Sequence, residues 1–584
     1  MIINTSLLRN NTVTKHPGKL PGSGYILYAL ITGILFLNVS CKLSSDESLT
    51  SASPRLEAVK IFADNVLEKG NDTWSGYDTP LLADGINIYT EKPVEWIYEE
   101  EKYIIHNLAN QQNLFRTLTG LSNITGNNTY HTAAKNSINY HFDNLQSDCG
   151  LLRWGGHQII DLRTLEPVGH FDADCHEFKN NFPFYKLMWE VDDKATAKFL
   201  RAFWNAHIFD WSLLDMNRHG RYGLQMGNLW ENEFARPDPF FEGRGLTFIN
   251  AGSDLIYAGA MLYFLNDEKQ ALNWAKLLAK QYVRARHPDT GLGVYQYSKP
   301  IRREQPPEEG PLEGRLTWST YGDRAENQFG EDFPATAREG WALFHGGIYT
   351  LPKLVQLEIS EHLGKEGREF LEWSVDGMKA YAKHAYDPEN NHFKPMWADG
   401  TDLTDYEFPR TGYYGEEGRV LKPFTASEQY MFSFSRAYRL TGDEFLWETV
   451  RSMFIGLQLG DPGVIPGKKA SLNFDTDNSD PYALFALLEI SRAVNNPVFL
   501  ELAETIGNNI LERSFYNGFF LPDDNHINAN FNALEPLALL SLEAAIRGNP
   551  ELVPVYSGGR GYIHGRFDGM GRTYDTHAIW SKVK

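Results

Sequence analysis

The chain has 584 residues, 42% of them hydrophobic and 13% aromatic. That is enough apolar side chain for a full core, which excludes disorder for most of its length. The formal net charge of −20 argues against nucleic acid as a partner, and it means that any acidic ligand must be met by a local basic cleft.

Lys15 and Lys19 precede an apolar run, Tyr25 to Leu37, that ends at Asn38-Val39-Ser40-Cys41. The run is short for a membrane span and has the layout of a secretory signal. Small residues before a single cysteine resemble a bacterial lipoprotein cleavage site, although Asn38 replaces the usual leucine. The expectation is a signal over residues 1–40, lipidation at Cys41, and a serine-rich tether over residues 41–52. Ordinary signal cleavage and an uncleaved anchor are the alternatives. Loss of residues 1–40 removes three basic residues (Arg9, Lys15, Lys19) and no acidic ones, taking the charge of −20 down by three to −23. The protein is then exported and membrane-anchored, at the periplasm or the cell surface. Cys149 and Cys175 remain, either as one disulfide or as two buried thiols.

Helical periodicity dominates the remainder. It predicts helices over Glu99–Thr117, Thr132–Phe142, Asp193–Trp211, Ile256–Arg284, Phe344–Leu357, Gly367–Ala385, Ser427–Leu440, Glu444–Leu457, Pro481–Ala493, Pro497–Arg513 and Leu534–Ile546. Tight turns such as Leu440-Thr441-Gly442-Asp443 join neighbours into hairpins. The predicted fold is all-α, an (α/α) toroid over residues 53–584 with long loops and minor β-hairpins at its cleft. The long loops are Gly76–Glu95, Cys149–Pro183, Gly220–Asn250, Lys299–Phe333, Phe393–Phe424 and Leu459–Asp480, and loops of that length are usually functional. Within Gly150–Leu162, two apolar arms around Gly155-Gly156 read as a small hairpin.

Three clusters carry the chemistry: Trp154-Gly155-Gly156-His157, His176-Glu177-Phe178-Lys179 and Asn217-Arg218-His219-Gly220. His157 follows two glycines, where backbone can approach a ligand closely. His219 is placed near the end of its helix. His207, on an apolar face with Phe203 and Trp211, reads as structural. The spacings between His157, Glu177 and His219 are weak evidence alone, but an N,N,O set leaves open positions for water and substrate and tolerates several divalent ions. Arg221, Arg236, Arg244, Arg315, Arg324 and Arg338 could build a cleft for carboxylates through bidentate pairing. Trp154, Trp230, Trp318 and Tyr321 are candidates for stacking on sugars.

The ordered set Leu82-Ala83-Asp84-Gly85-Ile86-Asn87, Asn107-Leu108-Ala109-Asn110-Gln111-Gln112-Asn113-Leu114, Trp154-Gly155-Gly156-His157, His176-Glu177-Phe178-Lys179 and Phe203-Trp204-Asn205-Ala206-His207, followed by Asn217-Arg218-His219-Gly220-Arg221-Tyr222, resembles the pectate lyases of polysaccharide lyase family 2. The likeness is densest over Leu81–Gly223. It implies an (α/α)-barrel lyase acting on α-1,4-linked galacturonate in pectate or oligogalacturonides. It further implies a divalent metal, manganese favoured over cobalt or nickel, on His157, Glu177 and His219, with Arg218 as the base. Arginine is an awkward base, since its ordinary pKa lies above about 12; neighbouring cations lower it, and an alkaline optimum follows. A glycoside hydrolase on the same toroid would instead need two carboxylic acids, and Glu231, Glu233, Asp238, Glu326 and Asp332 could supply them. A lyase for another uronate polysaccharide and a lipid-anchored glycan-binding protein also remain open.

Overall fold

The computed structural model describes residues 53–98, 100–169, 172–235, 247–297, 328–329, 332, 346–411, 414–523 and 526–558. Its helices, in chain order, are α1 (Pro54–Lys69), α2 (Gln112–Thr125), α3 (Thr129–Tyr140), α4 (Tyr185–Val191), α5 (Asp193–His207), α6 (Ile249–Asn266), α7 (Lys269–Arg284), α8 (Leu351–Leu363), α9 (Arg368–Ala385), α10 (Glu428–Thr441), α11 (Glu444–Gly456), α12 (Pro481–Ala493), α13 (Val498–Ser514) and α14 (Glu535–Ile546).

Burial separates these helices into two rings. In α2, every residue from Gln112 to Ser122 is buried, and α10 and α12 show the same unbroken burial over Gln429–Tyr438 and Tyr482–Ile490. A helix shielded on every side belongs inside. By contrast α7 buries Ala271, Leu272, Ala275, Leu278, Ala279 and Tyr282, a single stripe at helical spacing, and so lies outside with its other face in water. Even-numbered helices form the inner ring, each odd-numbered one packing beside an inner neighbour, and α14 closes the circle against α1 and α2. The fold is therefore an (α/α) toroid, as the periodicity predicts. Among the described residues no helix is long and apolar enough to cross a membrane; Cys41 lies outside them.

Several boundaries differ from expectation for identifiable reasons. Glu99–Thr117 is not one helix: Glu101–His106 is a strand, β3, because Tyr103, Ile104 and Ile105 favour a pleated surface. A 3₁₀ turn over Leu108–Gln111 follows, opened by the Asn107 side chain accepting from the Ala109 amide. Ile256–Arg284 is two helices, broken where Asp267 adopts the left-handed conformation at φ 53°. The predicted helix to Trp211 stops at His207, and α1 and α4 have no counterpart in the predicted set. The Ser53 cap and Pro54 at the first turn explain α1: the Ser53 hydroxyl accepts from the Leu56 amide at 3.1 Å.

Nine of the small strands lie in the N-terminal half of the chain. They are β1 (Gly85–Asn87), β2 (Glu95–Tyr98), β3, β4 (Gln158–Asp161), β5 (Glu166–Gly169), β6 (Cys175–His176), β7 (Ile208–Asp210), β8 (Asp215–Met216) and β9 (Gly220–Arg221). Strands β2-β3-β4-β5 form one antiparallel sheet, while β6 pairs with β9 and β7 with β8. The hairpin expected around Gly155-Gly156 is absent; β4 pairs instead with β3 and β5.

Two buried histidine pairs brace this region. His106 Nε2 lies 2.7 Å from His141 Nε2, and its Nδ1 lies 2.6 Å from the Leu82 carbonyl. A carbonyl only accepts, so His106 donates from Nδ1; burial lowers the pKa of both rings, and with both neutral the His106 Nε2 accepts from His141. Burial pushes the His106 pKa down from 6.5 to about 4. Its contribution to stability is thus complete above about pH 6.5 and lost as the pH falls toward 4, because the unfolded chain takes up the proton first. The expected loss is about 3 kcal/mol from His106 alone. Denaturant midpoints at pH 7 and pH 4.5 should show it, and His106→Gln should flatten the dependence. An unchanged slope in the variant would refute this assignment.

Candidate functional site

Strand β6 ends where Glu177 begins, and β9 starts directly after His219. In their antiparallel ladder Cys175 faces Arg221 and His176 faces Gly220. One more step of the same register sets Glu177 beside His219, although 42 residues separate them in sequence. His157, just before β4, approaches from the third side. Its Nε2 lies 3.0 Å from Glu177 Oε2 and 3.1 Å from His219 Nε2, and His219 Nε2 lies 3.5 Å from Glu177 Oε1.

These separations suit one ion. Ligand bonds of about 2.1 Å meeting near a right angle put donor atoms about 3 Å apart. Burial pushes His219 down to about 4, so its ring is neutral and able to ligate near pH 7. Burial opposes ionisation of Glu177, but His157, Lys179 and Arg218 more than offset it and hold the carboxylate well below its ordinary pKa. The residues therefore fit a divalent cation.

The surroundings hold each donor in place. Gly156 N donates to the Glu177 carbonyl at 3.0 Å. Gly155 has φ +113°, and a Cβ there would lie 2.6 Å from that carbonyl oxygen, so this turn requires glycine. The Asn107 side-chain amide donates to the carbonyls of Gly155 and Gln158 and accepts from Gly155 N. Asp84 in turn accepts from the Asn107 backbone, Asn110 and Gln111. The runs at 82–87 and 107–114 thus form a second tier beneath the His157 loop. On the opposite side, Asn217 Oδ1 accepts from His219 N at 2.9 Å, while His207 Nδ1 donates to the Asn217 carbonyl at 2.7 Å. His207 is buried with its Nε2 toward His176 Nδ1 at 3.0 Å, in keeping with the structural role read for it.

Arg218 NH1 lies 3.0 Å from Glu177 Oε1, and its guanidinium stacks over Phe248 at 5.5 Å. Lys179 Nζ reaches the same carboxylate oxygen at 3.1 Å. Lys179 belongs to the His176-Glu177-Phe178-Lys179 cluster, and its position two residues beyond Glu177 is the sequence signal for this contact. Lys179 and Arg218 put positive charge at this centre, suiting an anionic ligand despite the negative chain as a whole.

Other predicted contacts separate from the site. Trp154 is fully buried, edge-on to Phe178 and Phe199 at centroid distances of 5.0 and 5.1 Å, so it is a core residue and not a sugar platform. Its two bulky neighbours leave no face for a ligand. Trp230 packs edge-on against Trp204 and Trp211. His219 lies at a strand edge and not at a helix end, because α5 stops twelve residues earlier. Arg221 is exposed on β9, open to a ligand. Glu231 and Glu233 are exposed, and Asp332 accepts from the Tyr406 hydroxyl. Cys149 and Cys175 are free thiols, so no disulfide joins them. Arg236, Arg244, Arg315, Arg324, Arg338, Trp318, Tyr321, Asp238 and Glu326 lie outside the described residues.

Comparison with known proteins adds the family. A pectate disaccharide-lyase of Dickeya dadantii (strain 3937) is 34% identical over 568 residues, covering 93% of this chain and 98% of that protein. Among solved structures, a D-mannose isomerase aligns with TM-score 0.42 and 13% identity, over 77% of this chain and all of that one. An unsaturated glucuronyl hydrolase of Bacillus sp. GL1 gives TM-score 0.35 and 12% identity, over 84% of this chain and 96% of that one. The model of the family described as periplasmic pectate lyase matches residues 79–566. With that span matched and the relative aligned nearly end to end, the chain is an enzyme that belongs to the periplasmic pectate lyase family.

Proposed function

We propose that the protein cleaves α-1,4-linked galacturonate in pectate or oligogalacturonides by β-elimination, leaving a 4,5-unsaturated product. His157, Glu177 and His219 would hold a divalent cation, manganese favoured, and Arg218 would act as base. The observation that carries this reading is the convergence of three ligating side chains within 3.0–3.5 Å, with the Arg218 guanidinium on the same carboxylate.

The reaction removes the C5 proton of a uronate, breaks the C4–oxygen bond and forms the C4–C5 double bond; the departing oxygen takes a proton from solvent. A divalent cation, when bound, neutralises the C6 carboxylate and acidifies the C5 proton. Arg218, on the turn held by Asn217, would receive that proton with its guanidinium neutral. Lys179 and Arg221 add positive charge for the uronate carboxylates. Export to the periplasm or cell surface, with a lipid tether at Cys41, would bring the enzyme to its polymer.

The test is incubation of the purified protein with polygalacturonate at alkaline pH, with chelator and with added manganese, reading ultraviolet absorbance of the unsaturated product. Metal-dependent absorbance is expected. Reducing ends without absorbance would indicate hydrolysis, and no product with any metal would overturn the reading.

A further inference from the structure

We propose that the Cys175 thiolate is an additional ligand of the cation held by His157, Glu177 and His219, making the site N,N,O,S. This rests on the metal-site reading above. Successive residues of a strand point to opposite faces. His176 turns into the aromatic core, at 4.6 Å from Phe178 and 5.2 Å from Phe203 between ring centroids. Cys175 and Glu177 therefore share the opposite face, the one that carries the site.

The geometry agrees. The ligating atoms of His157, Cys175 and His219 all lie within 4.8 Å of one another. Donors on opposite sides of one ion, at about 2.1 Å for nitrogen and 2.3 Å for sulfur, stand about 4.4 Å apart. The Cys175 sulfur therefore stands within reach of a position opposite one of the two imidazoles. Cys175 is only 4% exposed, so a sulfur–metal bond there would be shielded from solvent. Cys149 provides the contrast: it is half-buried and 3.0 Å from the Ser147 hydroxyl, outside the cluster. Binding involves no redox change. The sulfur gives a lone pair to the ion, and its proton leaves to solvent. A soft sulfur donor shifts preference from manganese toward cobalt and zinc.

The experiment is titration of the chelator-stripped full chain with Co2+, following visible d–d bands for occupancy and the near-ultraviolet sulfur-to-cobalt band for thiolate ligation. The charge-transfer band is expected in the wild type and in Cys149→Ser and absent from Cys175→Ser, which should still bind Co2+ at least about tenfold more weakly. Occupancy without the charge-transfer band in the wild type would overturn the thiolate ligand and leave the His/Glu/His site standing. Failure to bind Co2+ at all would overturn both. The wild-type spectrum decides even if Cys175→Ser fails to fold.

Discussion

Arg218→Lys is expected to lower kcat on polygalacturonate by about 10²–10⁴-fold, with KM changed far less. Arg218 is held by the Asn217 turn, by Phe248 beneath its guanidinium and by Glu177 Oε1 at 3.0 Å. Lysine keeps the charge and so much of the attraction for a carboxylate, but it loses the planar fork that these contacts orient. The pH profile separates a base from a binding cation. Ordinary pKa values are above about 12 for arginine and about 10.4 for lysine, so the rising alkaline limb should move to lower pH by roughly two units. Activity kept with an unmoved limb would remove Arg218 from the base role. Reduced affinity with kcat intact would make it a substrate-binding residue instead.

The ingredients of this centre were legible and their assembly was not. Each cluster stands out in sequence because imidazole, carboxylate and guanidinium neighbour glycine or asparagine. The contact between Glu177 and His219 depends on β6 and β9, each two residues long. No alternation can be detected over two residues, so periodicity passes over such strands. The same limit explains Trp154: its tryptophan-glycine context suggests a loop platform, but burial between Phe178 and Phe199 is a tertiary fact. Outer helices such as α7 announce themselves through a single apolar stripe. Inner ones such as α6 are apolar nearly all round, so phase is lost and α6 and α7 read as one element.

Glu177→Gln should destabilise the fold by about 3–5 kcal/mol while abolishing activity, the cost of removing one partner from a buried ionic cluster. Glu177 is completely buried, and Lys179 and Arg218 both lie about 3 Å from its Oε1. Glutamine matches its size but cancels the charge that both cations contact, and with side chains only 15% and 17% exposed they are poorly screened by solvent. In the wild type the contribution is present above the ordinary carboxylate pKa of 4.5 and is lost only in stronger acid, because Glu177 titrates well below that value. Denaturant unfolding at pH 7 measures the loss. The decisive control is Lys179→Met in the Glu177→Gln background. If repulsion is the cause, removing one cation should recover a substantial part of the lost stability, a coupling that additive effects would not produce. Activity should stay absent, because no carboxylate remains to hold an ion. A stability loss under about 1 kcal/mol in the single variant would mean that solvent screens these charges. The electropositive centre would then be weaker than its geometry implies.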